Sequence, residues 1–286
     1  MRSFKAYLAG IGVVCIWSGW ITVSRYGVHT ALEPADITLL RYCTALIGVS
    51  PLLLRHDWRR HPIWQYLVIG LGVGFPYTLC SFYGLKSIQA AHAGVLVNGL
   101  LPVFGAATAW ILFGQKLSLP RVLAIGLIFA ANLLMAGGNA STTFNPAGIL
   151  YLLAAAAWYT AHMTGIHLWK FSWQEVIVTV PVVNVCLFVP LYPFLPTALL
   201  KASAHDIVLQ AVYQGIVVNM IALMFVAYAI RHLGTIPVAL FMSFVPVSTA
   251  LLAWIALGET LSNIQILGIA GCSLGLLLYA RGNAGR

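Results

Sequence analysis

Long apolar stretches follow one another along almost the whole chain, with only short polar breaks between them. A transmembrane helix needs about 20 consecutive, largely apolar residues. By this criterion the pattern predicts about ten spanning helices and no soluble domain. They fall near residues 6–27, 36–54, 64–85, 90–113, 119–137, 147–168, 174–195, 206–230, 235–256 and 262–280. The pattern therefore predicts an all-α membrane protein that crosses the bilayer many times.

The second half of the chain repeats the pattern of the first. Pro102 and Pro246 each stand twelve residues before the glycine of a Gly-Gln or Gly-Glu turn. Trp17 in the first apolar segment is echoed by Trp158 in the sixth, so the two halves are offset by roughly 141–145 residues. Self-similarity at a fixed offset indicates that one structural unit occurs twice.

An odd number of helices in each half gives the two repeats opposite orientations in the membrane. We expect a first five-helix repeat at residues 1–140 and a second at residues 146–286, with the polar stretch between them as the seam. Inverted repeats recur in secondary transporters, whose substrate site lies near the bilayer midplane where the repeats meet. The sequence thus predicts a site between the halves.

Composition agrees with a membrane location. Hydrophobic residues make up 61% of the chain and charged residues only 7%, whereas a soluble domain carries about 25% charged residues. The net charge of +9 does not indicate nucleic-acid binding, because the basic residues are scattered between apolar runs. Most Lys and Arg residues fall in loops on the side of the N-terminus. The positive-inside rule therefore predicts a cytoplasmic (inner) membrane protein with both termini in the cytoplasm.

Motifs for ATP hydrolysis or covalent chemistry are absent from the sequence. Without a Walker A loop, an ATP-driven pump is not expected. A nucleophile elbow, an HExxH motif and a Cys/His cluster are missing as well, so we predict no enzyme activity, no cofactor and no metal site. All six acidic residues fall in loops or at segment ends, which argues against ion coupling through a carboxylate inside the membrane. The sequence does not specify the oligomeric state.

Prolines and glycines within apolar segments mark candidate hinge positions. Pro102 and Pro246 take matching places in the two halves, where proline removes a backbone hydrogen bond and kinks a helix. Gly74 and Pro76 indicate a further flexible helix. Paired interruptions of this kind are typical of transporter sites, although kinks also serve helix packing alone. We predict that all four residues act in helix kinking or gating.

Polar and aromatic side chains within the apolar segments are the candidates for binding a solute. Asn98 offers amide donors and an acceptor that orient an amino or carboxylate group, whereas we interpret Asn132, Asn184 and Asn219 as packing residues. Aromatic walls suit an amphipathic, partly aromatic or cationic solute, and each aromatic has packing or lipid contact as its alternative role. The predicted substrate-binding set is Trp17, Trp20, Tyr77, Ser81, His92, Asn98, Trp158, Tyr159, His162 and Ser243.

Three ionisable residues within the segments need separate interpretation. His92 and His162 could relay protons, but without an acidic partner hydrogen bonding across helices is the simpler role. Arg41 stands within the second segment, where it could pair with Asp36 or Glu33, or extend towards the interface. We assign it a structural role.

In its motifs the chain resembles the drug/metabolite transporter superfamily, specifically the EamA-type members. The first copy departs from the usual pattern by having Gln115 in place of Glu. The resemblance covers nearly the whole chain and implies a ten-helix carrier built from two five-helix repeats. The matching residues are Trp17-Ser18-Gly19 with Ser24-Arg25, Leu40-Arg41-Tyr42 with Ala45, Pro102 with Gly114-Gln115, and Pro246 with Gly258-Glu259.

Within this superfamily, Val97-Asn98 leading to Pro102 resembles the branch of aromatic amino acid exporters. That likeness implies export of amino acids, aromatic and other small neutral ones, through a central cavity that opens alternately to each side. One alternative is an exporter of drugs or quaternary cations, for which a carboxylate in the cavity would be expected. Alternatives of another class are a membrane-embedded enzyme and a scaffold that transports nothing.

Overall fold

A computed structural model describes residues 2–114, 118–137, 145–233, 238 and 241–281 of the chain. The regular structure of these residues is entirely helical. A π-helical segment, Ala211–Ile221, joins α9 to α10. The helices are α1 (Arg2–Gly27), α2 (Pro34–Leu53), α3 (Ile63–Gly72), α4 (Phe75–Ser87), α5 (Ala90–Phe113), α6 (Leu119–Gly137), α7 (Pro146–Trp169), α8 (Trp173–Phe188), α9 (Ala204–Gln210), α10 (Ala222–Leu233), α11 (Val245–Leu257) and α12 (Asn263–Arg281).

Within the described residues, seven helical stretches are long and apolar enough to cross a membrane. Three further apolar helices are shorter, namely Leu119–Met135, Trp173–Phe188 and Val245–Leu257. The predicted all-α membrane architecture is confirmed. The turn predicted at Gln115 and the seam predicted after Gly137 fall at 115–117 and 138–144, outside the described residues.

The helices pack in a pattern that stays the same when the two halves are exchanged. α5 packs on α7 as α11 packs on α1, and α4 packs on α7 as α10 packs on α1. α3 packs on α8 as the π-helical segment packs on α2. Three further interfaces join equivalent helices: α6 with α12, α5 with α11, and α2 with α8. α3 also packs on α7, as the π-helical segment packs on α1. This is the packing expected of two inverted repeats.

The seventh apolar segment is shorter than the sequence pattern suggests. The pattern predicts residues 174–195, whereas α8 ends at Phe188. Pro190, Pro193 and Pro196 follow, and proline lacks the N–H that a continuing helix would need. The chain therefore leaves the helix early and crosses the end of the bundle in short turns.

The third segment of the first half is broken between α3 and α4. Gly74 precedes α4, and Pro76 lies in its first turn, where the missing N–H of proline has no helical partner to lose. Asn184 of α8 bridges the break, since its Oδ1 accepts from the Phe75 N–H at 2.6 Å and its Nδ2 donates to the Gly70 carbonyl at 2.8 Å. The amide side chain thus replaces backbone partners that water cannot supply inside a membrane.

The third segment of the second half is irregular at the equivalent place. Ala211–Ile221 is π-helical, and Gly215 within it stands 141 residues after Gly74. A Cβ on Gly215 would lie 2.6 Å from the Thr44 Cβ of α2, just as a Cβ on Gly74 would meet Asn184 of α8. π-helical turns are found mostly at functional sites. Each half therefore has an irregular third segment pressed against the second helix of the other half.

The two prolines predicted as matching kinks have different surroundings. Pro102 lies inside the continuous helix α5. Pro246 lies in the first turn of α11, directly after a turn at Ser243 and Phe244. The fourth segment of the second half is thus interrupted directly before Pro246, where the fixed φ of proline suits the first turn of the restarting helix. A role of either proline in gating stays a prediction.

Candidate functional site

A cavity lies between the two halves. Its wall is formed by residues of α1, α2, α4, α5, α7, α8, α10 and the π-helical segment. Both irregular third segments thus contribute to it. This is the place where inverted-repeat transporters bind their substrates.

Aromatic rings from both halves meet on the cavity wall. Trp20 stacks on Tyr77 with ring centroids 5.6 Å apart, and the Tyr77 ring lies 5.6 Å from that of Tyr159. Trp17 meets Tyr159 edge to face at 6.4 Å. Because α1 and α4 belong to the first half and α7 to the second, this connected set of rings crosses the boundary between the repeats. Such rings offer faces and edges on which an aromatic solute can stack.

The cavity is lined by six of the ten side chains predicted to bind a solute. Among these six, Trp20, Asn98 and His162 already form hydrogen bonds. Asn98 Nδ2 donates to the Gly94 carbonyl at 3.1 Å. The Oδ1 of this amide therefore points away from that carbonyl and can act as an acceptor. His162 Nδ1 lies 2.8 Å from the Ile69 carbonyl, so we assign the ring hydrogen to Nδ1. The six are Trp17, Trp20, Tyr77, Asn98, Tyr159 and His162.

The other four predicted residues lie away from the cavity wall. Ser81 is buried and donates to the Tyr77 carbonyl within its own helix at 2.8 Å, and Ser243 is buried in the turn before α11. His92 is buried with neither ring nitrogen hydrogen-bonded within the described residues. The Trp158 side chain is 40% exposed. A role of these four residues in binding stays a prediction.

Arg41, to which the sequence analysis assigns a structural role, lies on the cavity wall. The residue is only 3% exposed. One terminal nitrogen, Nη1, donates to Gln214 Oε1 at 2.9 Å, and the other, Nη2, donates to Asn219 Oδ1 at 3.3 Å. The sequence did contain a signal for this, because an ionisable residue within a membrane segment is a functional candidate by default.

Arg41 pairs with neither Asp36 nor Glu33, although such a pairing is one of the possibilities that the sequence leaves open. Asp36 lies in the first turn of α2, where it accepts from the Tyr192 hydroxyl at 2.6 Å and from the Ala198 N–H at 2.9 Å. Glu33 forms an ion pair with Lys86. Arg41 follows two helical turns after Pro34, so its side chain reaches the centre of the bundle instead of these carboxylates.

Contacts between the two halves lie at both ends of the bundle. At the end where α2 begins, Asp36 binds Tyr192 and Ala198 of the second half. At the end where α8 begins, a Glu175 oxygen lies 3.1 Å from Arg60 Nη1 of the first half. Asp36 and Glu175 occupy the same position, the third residue of their helix. The two contacts are therefore equivalent under the repeat.

Glu259, the acid of the second Gly-Glu turn, forms another contact between the halves. Its Oε1 lies 3.0 Å from Arg25 Nε, and its Oε2 accepts from the Ala90 N–H at 3.0 Å. Ala90 begins α5, and a helix N-terminus favours a negative group. The equivalent position in the first half, Gln115, lies outside the described residues.

Carboxylates are absent from the cavity wall. All six Asp and Glu side chains of the chain lie among the described residues, and none of them lines the cavity. Within the same residues, no group of three or more His, Cys, Asp or Glu side chains could hold a metal ion. The wall thus combines aliphatic side chains and aromatic rings with neutral amides, the His162 imidazole and one guanidinium group.

Comparison with known proteins agrees with this architecture. The profile of the EamA-like transporter family matches residues 4–137 and 145–281, once in each half. A curated protein of Salmonella typhimurium (strain LT2), named "Probable amino-acid metabolite efflux pump", is 24% identical over 284 residues, which cover 94% of this chain and 93% of that protein. The "Uncharacterized transporter YdeK" of Bacillus subtilis (strain 168) is 29% identical over 164 residues, 54% of each chain.

A solved structure described as "Crystal structure of protein" shares the fold. It superposes with a TM-score of 0.67 at 20% sequence identity, and the match covers 96% of both chains. The two family matches coincide with the two halves that pack symmetrically around the cavity. The chain belongs to the EamA-like transporter family.

Proposed function

We propose that the chain is a secondary transporter that exports amino acids, aromatic and other small neutral ones, or related small metabolites from the cytoplasm. The observation that carries this proposal is the cavity between the repeats, whose wall joins aromatic rings of both halves to a few polar groups. The aromatic ring of a solute would stack on such a wall, and amide side chains would bind the polar groups of the solute. These contacts would account for selection of a small aromatic solute. The relative named as an amino-acid metabolite efflux pump supports the same class of solute.

Alternating access without ATP is the mechanism that the symmetry supports. The Asp36 contacts hold the halves together at one end of the bundle, and the Glu175–Arg60 contact holds them at the other. Opening one contact while the other stays closed would expose the cavity to one side at a time. Inverted-repeat transporters work by such rocking around a fixed central site.

The orientation that we propose follows the distribution of positive charge. Both termini lie in the cytoplasm, in a protein of the cytoplasmic membrane, because Lys and Arg residues are concentrated in the loops on that side. Since the cavity wall carries no carboxylate among the described residues, we propose that transport follows the solute gradient without carboxylate-based ion coupling. The same feature weighs against a quaternary cation exporter, whose solute Arg41 would repel.

The contribution of the aromatic wall can be tested by efflux from proteoliposomes loaded with labelled L-tryptophan. The side chain of Trp17 lies on the wall against Tyr159, whereas Trp254 of α11 is 59% exposed. Because an aromatic pair contributes about 0.5–1.5 kcal/mol beyond its buried area, we expect Trp17→Ala to lower the efflux rate by about tenfold and Trp254→Ala to leave it within about twofold of the wild type.

Both variants must elute from size-exclusion chromatography as the wild type does. If well-folded Trp17→Ala transports at the wild-type rate, the cavity is not the path of the solute. Equal losses in both variants would likewise contradict the proposal, because Trp254 lies outside the wall.

A further inference from the structure

The cavity holds a buried cation that no acidic side chain neutralises. Arg41 is 3% exposed and lines the cavity. None of the six Asp and Glu side chains, all of which lie among the described residues, forms an ion pair with it. Burying an unpaired charge is costly, and buried charges are as a rule paired with an opposite charge. The arrangement is therefore more favourable when an anion enters the cavity.

A hydrogen-bond network fixes the position of the guanidinium group. Gln214 Oε1 accepts from both Arg41 Nη1 and Trp20 Nε1, each at 2.9 Å. The Gln214 Nε2 donates to Ser24 Oγ at 2.9 Å and to Gln210 Oε1 at 3.2 Å. Because the nitrogen side of this amide is occupied, its oxygen must face Arg41. Neutral hydrogen-bond acceptors thus fix the position of the guanidinium group before a solute binds.

The network leaves part of the guanidinium unused. Arg41 Nε is buried and has no hydrogen-bond partner within the described residues. The terminal nitrogens carry more N–H groups than the two amide oxygens engage. The Trp20 ring centroid lies 6.0 Å from the guanidinium carbon, and the Tyr42 ring centroid lies 5.7 Å from it. A planar fork of donors beside aromatic rings matches a carboxylate on an aromatic molecule.

We propose that Arg41 is the specificity-determining residue of the cavity and binds the carboxylate of the solute. This inference rests on the proposed function in taking the cavity as the solute site. It adds that the carboxylate is required while an ammonium group is not, since the cavity offers an ammonium group only neutral acceptors such as Asn98 Oδ1 and ring faces. The solute class is accordingly the aromatic carboxylates, with amino acids as one subset.

The inference can be tested on the wild-type protein with ligands that differ in one group. The purified full-length chain is heated in detergent with L-phenylalanine, 3-phenylpropanoate, phenethylamine or L-phenylalaninamide. A ligand that binds the folded state raises the apparent unfolding temperature. We expect stabilisation by the two carboxylates and none by the two amines. Equal stabilisation by phenethylamine and 3-phenylpropanoate, or stabilisation by none of the four, would overturn the inference.

A variant then tests the residue itself. Arg41→Gln removes the charge and keeps hydrogen-bonding capacity, and Arg55→Gln removes an exposed positive charge far from the cavity wall as a control. We expect the affinity for 3-phenylpropanoate to fall at least tenfold in Arg41→Gln and to stay unchanged in Arg55→Gln. Unchanged affinity in a folded Arg41→Gln would refute the assignment. If that variant does not fold, the four ligands tested on the wild-type protein still show whether the cavity requires a carboxylate.

The two proposals fail in different ways. Binding of 3-phenylpropanoate without binding of L-phenylalanine would support the role of Arg41 and contradict amino acid transport. Binding of L-phenylalanine and phenethylamine with equal strength would leave amino acid transport intact and contradict the requirement for a carboxylate.

Discussion

Asparagines within the spanning segments differ in role although the sequence surrounds each with similar apolar residues. Asn132 bonds only to the Ile128 carbonyl of its own helix within the described residues. Asn98 is anchored in the same way but faces the cavity. Asn184, interpreted from the sequence as a packing residue, instead joins α8 to the break between α3 and α4. The three roles are distinguished only by what each side chain meets outside its own helix.

Asn184→Ala is expected to lower the free energy of unfolding by about 1–3 kcal/mol, because it leaves the buried Phe75 N–H and Gly70 carbonyl without partners. Asn132→Ala removes only a bond to its own helix and should cost less. Unfolding by SDS titration in mixed micelles measures both. A smaller loss in Asn184→Ala than in Asn132→Ala would show that Asn184 does not hold the break.

At the scale of the elements, the third segment of each half is the irregular one. The sequence predicts paired interruptions at the prolines of the fourth segments, whereas the structure has a break beside Gly74 and a π-helical segment around Gly215. Gly74 is among the predicted gating residues. Gly215 stands at the repeat offset of 141 residues from it, but the sequence analysis does not select it, since no proline follows it. A π-helical turn depends on the packing of neighbouring helices, which a single-chain pattern does not contain.

Both glycines lie where a side chain would collide with the other half. A Cβ on Gly74 would meet Asn184 and the Gly70 carbonyl, and a Cβ on Gly215 would lie 2.6 Å from the Thr44 Cβ. We therefore expect Gly74→Ala and Gly215→Ala to lower both the thermal unfolding temperature and the transport rate.

Gly105 of α5 and Gly126 of α6 are matched controls, because a Cβ there meets nothing within 4 Å. Alanine at these sites should leave stability unchanged or raise it by up to about 1 kcal/mol, since glycine is the poorer helix former. The thermal unfolding temperatures of the four purified variants test this prediction. Equal behaviour of the two pairs would contradict close packing of the third segments against the second helices.

At the scale of the whole molecule, the sequence predicts most of the fold. Hydrophobic length alone places most of the spans to within a few residues, with the early end of α8 as an exception, and the repeated motifs indicate two inverted halves. Helix rotation is harder to predict, because these helices are apolar on every side. Trp158 and Tyr159 illustrate this, since adjacent residues point in different directions and only Tyr159 lines the cavity.

The contacts of Arg41 were equally beyond the sequence. Its partners Gln214 and Asn219 stand more than 170 residues away in the chain, on the π-helical segment of the other half. The nearby acids Asp36 and Glu33 look like partners in the sequence but have partners of their own at the end of the bundle. Long-range packing, rather than local spacing, decides the electrostatics of the cavity.

The most direct test of the central claim is efflux of labelled L-phenylalanine, L-tryptophan, L-threonine or L-methionine from proteoliposomes, with and without a pH gradient. A carrier without a carboxylate in its cavity should move amino acids down their own gradient at the same rate in both conditions. Flux that requires the pH gradient would contradict this account and bring His92 and His162 into the mechanism. Absence of flux for all four amino acids would refute the proposed solute class.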